Sequence, residues 1–206
     1  MRERPDALAI DLDGVLRHFD PAVAGAAEQA AGLAPGALAA TAFRHDLLQP
    51  ALLGHVSHDA WCDSIVADLV ARSGADPANA REAVVAWAAY RGEVMTEVRD
   101  FVAQVRAGGV PVCLATNATS RLDADLAALG LADAVDAVVN SSVVGAHKPS
   151  REFFAAVCTA LGRPAARCLF VDDDDRNVRG ARVAGLPAYR WNGAGDLPYL
   201  RAALGA

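Results

Sequence analysis

Lysine is all but missing from this chain. Of its 19 Lys and Arg residues, Lys148 is the single lysine. Chance in an arginine-biased sequence is one explanation. A site that needs a compact point charge, which a planar guanidinium cannot supply, is the other. Cysteine is sparse too. Cys62, Cys113, Cys158 and Cys168 form no CxxC pair and lie in apolar segments. That pattern excludes zinc and disulfide frameworks and fits reduced thiols in a cytoplasmic protein. No apolar run approaches the ~20 residues of a membrane helix. In "MRERPDALAIDLDG" acidic residues arrive before any h-region, so no signal peptide is expected. The net charge is −6 and no basic, aromatic-rich patch stands out, which argues against nucleic acid as a partner. No internal repeat is visible. What is abundant is apolar: 53% of 206 residues, enough for one sizeable core with a smaller insert.

The apolar residues fall into two rhythms. "ALAIDL" (7–12) reads as a buried strand ending in acid. A long Ala-rich helical region follows, including "PAVAGAAEQAAGL" and "PGALAATAFRHDLL". Its clearest helix opens at Ser57 as N-cap, with Trp61, Ile65, Val66, Leu69 and Val70 along one face. Another opens at Asp76. After residue 92 helices alternate with the strands "VPVCLAT", "AVDAVVN", "RCLFVD" and "LPAYRW". Alternation of this kind predicts an α/β fold with a doubly wound parallel sheet. Ligands of such sheets gather beyond the carboxyl ends of the strands. Asp11 and Thr116 lie 105 residues apart, far more than one crossover requires. Residues 18–92 are therefore expected to form an all-helical cap, inserted into a core of residues 1–17 and 93–206.

The strand ends carry the chemistry. The first ends in Asp11 and Asp13 ("DLDG"), the second in Thr116 and Asn117 ("LATN"), the fourth in Asp172 and Asp173 ("FVDDDD"). Lys148 precedes the helix between the third and fourth strands. Four carboxylates sharing one crevice repel, at ~4 kcal/mol per pair near 4 Å for an effective dielectric of ~20. One lysine cannot offset that. A hard divalent cation with oxygen ligands can, and Mg2+ commonly takes one or two carboxylates together with a substrate phosphate. Asp11 and Asp13 point the same way in extended chain, and Gly14 lets the backbone turn off sharply. Asp174 and Asp175 fit a helix N-terminus, where acids favour the macrodipole, and are left out of the site.

At these residues the chain resembles the haloacid dehalogenase (HAD) superfamily, in the branch (subfamily IA) with a helical cap between its first two motifs. "AIDLDGVL" resembles the DxDGT/VL motif and "CLATN" the strand ending in Thr or Ser. "GAHKPSREFF" resembles the Lys-Pro that opens a helix, and "LFVDDDDRNVRGARVAGL" the DDxxxN form. The resemblance implies a Rossmann-like core and roles for each residue. Asp11 would be the nucleophile, forming an aspartyl-phosphate, and Asp13 the acid and base. Mg2+ would be held by the Asp11 carboxylate, the Asp13 carbonyl and Asp173. Thr116 and Lys148 would bind the phosphoryl group, with Asn117 assisting. Asp172 and Asn177 would orient Lys148 or the metal site.

The expected activity is a Mg2+-dependent phosphatase for a small phosphorylated metabolite. "LLGHVSHDAWCDSI" and "VDDDDRNVRGARVAG" resemble the small sugar-phosphate phosphatase branch. A phosphomutase would keep the same constellation. A dehalogenase would use an aspartate nucleophile but lack Asp13. A phosphoacceptor signalling module also combines acids, Thr and Lys, yet it would carry no long helical insert and would place its acceptor after a middle strand. Within the insert, His18, Arg44, His45, His55 and Arg91 could face a substrate, with His18 the first choice. Trp61 and Trp87 fit the core better.

Overall fold

The structure, a computed structural model, describes residues 4–205, so the extreme ends of the expected core range lie outside the described residues. The chain begins with β1 (Ala7–Ile10) and β2 (Arg17–His18). Five helices follow: α1 (Pro21–Ala30), α2 (Ala37–Ala42), α3 (His45–Leu52), α4 (His58–Ser73) and α5 (Pro77–Ala89). Then come β3 (Glu93–Val94), α6 (Thr96–Ala107), β4 (Val112–Thr116), α7 (Leu122–Ala128), β5 (Ala137–Asn140) and α8 (Ser141–Val144). The chain finishes with α9 (Arg151–Leu161), β6 (Cys168–Asp172), α10 (Asp175–Val183), β7 (Ala188–Arg190) and α11 (Leu197–Leu204).

Five strands form one parallel sheet in the order β5-β4-β1-β6-β7. β1 is the central strand, buried along its whole length, which is why its sequence is an unbroken apolar run. Alternate residues face opposite layers. Leu8 and Ile10 pack with Val112, Leu114 and Val171 against α6, α7 and α11. Ala7 and Ala9 pack with Cys113, Phe170 and Cys168 against α9 and α10. Helices thus cover both faces, as the doubly wound pattern predicts. β1 pairs with β4 on one side and β6 on the other, so the strand order reverses there, and the chain leaves all three strands at the same sheet edge.

Helices α1 to α5 share a separate apolar cluster that includes Leu38, Trp61, Ile65, Leu69 and Val84. Ser57 caps α4 by accepting from the Ala60 amide, and Asp76 caps α5 through the Ala78 and Asn79 amides. Trp61 and Trp87 meet edge to face at 5.8 Å inside this cluster. The stretch 35–48 is not one helix. Arg44 is extended between α2 and α3, where its guanidinium reaches Asp46 and Asp68. The antiparallel pair β2–β3 was not legible either, since two-residue strands carry no periodicity. The expected break between residues 17 and 18 falls inside β2, with Arg17 opposite Val94 and His18 opposite Glu93. Among the described residues no helix is long and apolar enough to cross a membrane.

Phe101, fully buried on α6, tests this layering. Phe101→Ala is expected to lower stability by about 3–5 kcal/mol, read from the urea unfolding midpoint at constant m-value.

Candidate active site

Lys148 is 3% exposed. Its ammonium lies 2.7 Å from Asp11 Oδ1 and 2.7 Å from Asp172 Oδ2. The lone lysine therefore bridges the ends of two adjacent strands, β1 and β6. Burial works against its charge, but the two carboxylates outweigh that and raise its pKa. The Phe170 ring centroid is 5.8 Å from the ammonium.

The Lys148 segment is itself held. The Asn117 side chain accepts from the Lys148 amide at 2.8 Å and donates to the Lys148 carbonyl at 3.1 Å. Asn117 thus grips backbone, a different occupation from the substrate contact expected of it. Thr116, one residue earlier, is buried at the end of β4. Asp172 is satisfied from several sides. Its carboxylate accepts from the Asp174 amide at 2.8 Å and from Asn177 Nδ2 at 3.1 and 3.2 Å. Asp174 in turn caps α10 by accepting from the Arg176 amide.

One oxygen each from Asp11, Asp172 and Asp173 lie within 4.8 Å of one another. Asp11 also accepts from the Leu12 amide at 2.7 Å, on the oxygen that faces Lys148. Burial, opposed by Lys148 and reinforced by Asp172 and Asp13, pushes the Asp11 carboxyl up to about 8. Burial and the nearby Asp172 also raise Asp173. An all-oxygen cluster of carboxylates that resist ionisation suits a hard cation, which would reverse both shifts. Gly14 permits the crowding. With φ at +81°, a Cβ there would stand 2.2 Å from Asp173 Oδ2.

Asp13 stands outside that cluster, so three of the four expected carboxylates gather. Its oxygens meet Arg17, at 2.6 Å to Nε and 3.1 Å to Nη2. Arg17 extends to Asp125, which also pairs with Arg91 and with Arg121. From α4, His58 Nδ1 lies 3.0 Å from Thr119 Oγ1, and its amide donates to Ser120 Oγ. His18, His45 and His55 are exposed, and Arg44 is engaged within the insert. Asp125 and His58 escape sequence reasoning because their contacts with Arg17, Arg91 and Thr119 join segments distant along the chain, and Arg17 because a turn of four residues to Asp13 carries no periodic signal.

The family model described as haloacid dehalogenase-like hydrolase matches residues 5–185. The chain belongs to this family. Among its relatives, Phosphatase MT3486 of Mycobacterium tuberculosis (strain CDC 1551 / Oshkosh) is 37% identical over 95 residues, 45% of this chain and 44% of that protein. A phosphoglycolate phosphatase of Pectobacterium atrosepticum is 28% identical over 86% of this chain and 76% of its own. The haloacid dehalogenase-like chain spans about half the length of the first curated relatives it matches. The crystal structure of the L-2-haloacid dehalogenase RSc1362 shares its fold, with a TM-score of 0.75 at 21% identity, covering 99% of this chain and all of that one.

Gly14→Ala tests the crowded turn. Stability should fall by about 1 kcal/mol or more from the left-handed backbone alone. Divalent-cation binding, read by Mn2+ electron paramagnetic resonance, should weaken as Asp173 is displaced. Unchanged Mn2+ binding would rule the Asp173 contact out of the site.

Proposed function

We propose that this chain is a Mg2+-dependent phosphohydrolase that releases phosphate from a small phosphorylated metabolite, with sugar phosphates the first class to test. The observation that carries the reading is the buried Asp11–Lys148–Asp172 arrangement, with Asp173 beside it. Relatives that bear phosphatase names support it. Residues 1–17 and 93–206 form the catalytic core on this reading, and residues 18–92 the cap. A covering insert favours small substrates.

Asp11 and Asp173, with the main-chain carbonyl of Asp13, would hold the metal. Mg2+ bound there would supply positive charge to the phosphate oxygens, which would let the anionic Asp11 carboxylate approach a phosphate dianion. Lys148 contributes a second positive charge at the same oxygens, and Thr116 a hydroxyl. Asp11 attacks phosphorus as the bond to the leaving oxygen breaks, giving an aspartyl-phosphate. Asp13 protonates that leaving oxygen. It then takes a proton from the water that attacks the same phosphorus, which frees orthophosphate and restores Asp11. Asn117, Asp172 and Asn177 hold Lys148 in place throughout. A dehalogenase of the same fold would use Asp11 but would have no task for Asp13, and it would need no metal.

Asp11→Asn should lower kcat at least about 10³-fold while the protein stays folded by circular dichroism. Substantial turnover in that variant would reject Asp11 as nucleophile. EDTA should abolish phosphate release and Mg2+ restore it. Metal-independent turnover would favour the dehalogenase reading. Lys148→Arg should cost about 10²-fold, because a planar fork cannot sit as a point charge between two carboxylates. A near-normal rate would make the lone lysine an accident.

A further inference from the structure

Arg17 is 4% exposed, yet it carries a charge that no packing argument demands. It sits on β2, where the chain leaves the sheet for the helical insert. Its guanidinium grips both oxygens of Asp13, at 2.6 and 3.1 Å. The remaining nitrogen, Nη1, donates to the Arg91 carbonyl at 3.3 Å and lies 3.5 Å from Asp125 Oδ2. Arg91 lies just before β3, where the chain returns from the insert, and Asp125 belongs to α7, the helix that follows β4. Space around the fork is tight. A Cβ on Gly92 would stand 2.9 Å from Arg17 Cγ and 2.7 Å from the His18 carbonyl. One guanidinium thus ties the Asp13 turn to both chain crossings and to α7.

The Asp13 side chain is 43% exposed, and among the described residues its carboxylate has no hydrogen-bond partner besides Arg17. A short aspartate on an open turn gains a defined orientation only from a partner that holds both oxygens, and bidentate Arg–carboxylate pairing supplies that geometry. We infer that Arg17 is the positioning residue for Asp13, fixing the direction in which that carboxyl group meets the leaving oxygen of the substrate. This rests on the phosphohydrolase reading. Arg17 touches neither phosphorus nor the leaving group and acts through Asp13. The plain alternative is a buried pin that neutralises Asp13 and Asp125 and keeps the junction folded. The two differ in one measurable respect. A positioning role matters most where the leaving oxygen most needs a proton, whereas a pin is indifferent to the leaving group.

The test compares kcat/KM for 4-nitrophenyl phosphate, whose leaving group needs little protonation, with that for phenyl phosphate, whose leaving group is more basic. kcat/KM reports the steps through departure of the leaving group. Arg17→Gln should lower the phenyl phosphate value about 10²-fold and the 4-nitrophenyl value less than about 10-fold. Arg17→Lys, which keeps the charge but loses the fork, should fall between wild type and Arg17→Gln. In an Asp13→Asn background, Arg17→Gln should add little further loss for phenyl phosphate. Loss of folded protein scales both substrates equally, so their ratio is immune to it. Equal losses for the two esters, no loss at all, or full additivity with Asp13→Asn would overturn the inference. If wild-type protein releases no phosphate from either ester with Mg2+, the phosphohydrolase reading falls and takes this inference with it. If wild type releases phosphate but the ratio stays constant, this inference alone falls.

Discussion

A single buried ammonium between two carboxylates is the constraint around which this molecule is arranged. Lys148 stands 2.7 Å from both Asp11 and Asp172. Without it, two adjacent parallel strands would end in unpaired buried acids, at a cost that removing one partner from a buried pair makes plain. The surrounding structure serves that contact. Asn117 fixes the Lys148 backbone from β4, while Asn177 and the Asp174 amide saturate Asp172 from the first turn of α10. The ammonium is left with little freedom to move, and Asp11 presents one oxygen to Lys148 and the Leu12 amide. A group aimed in this way can meet an incoming atom without first being ordered, which is the physical content of preorganisation.

Sheet topology makes the arrangement possible. Because β1 lies between β4 and β6, the residues that follow three strands converge, although they are separated by more than half the chain. The same topology imposes a burden. Acids drawn from two strands crowd into one place, and burial first, with repulsion from Asp172 added, raises both Asp11 and Asp173. A cation would relieve it, and the proposed Mg2+ is the one whose preferred ligands match what the chain offers. Asp13, at the margin of that crowd, turns its carboxylate to Arg17, which places a second set of charges at the junction with the helical insert.

That junction has more structure than a simple tether would need. β2 and β3 pair across it, His58 of α4 meets the loop after β4, and the Arg121 guanidinium donates to the Ala88 carbonyl of α5. Burial lowers the His58 pKa, with Arg121 adding to the effect, so the ring is held toward its neutral form. Its partners are the Thr119 hydroxyl and the Cys62 thiol, so this contact is a hydrogen-bonded one rather than an ion pair.

Much of this was legible in the linear chain. Asp11, Asp172 and Asp173 stand out because acids follow apolar runs, and Lys148 because no other lysine exists. The five sheet strands and the capped helices α4 and α5 follow from periodicity and from Ser57 and Asp76. What was not legible is mostly long-range. The Arg17 contact with Asp125, the Asn117 clamp on Lys148 and the short β2–β3 pair depend on which distant segments touch, while the grip of Arg17 on Asp13 is local, four residues along one turn, and carries no periodic signal. Periodicity reports the face a residue presents, not the partner across from it. The sequence by itself determined the layers, the polar strand tips and the family. Only the tertiary structure decided which charge answers which, because Coulomb and hydrogen-bond energies depend on distances of a few ångströms that chain position does not encode.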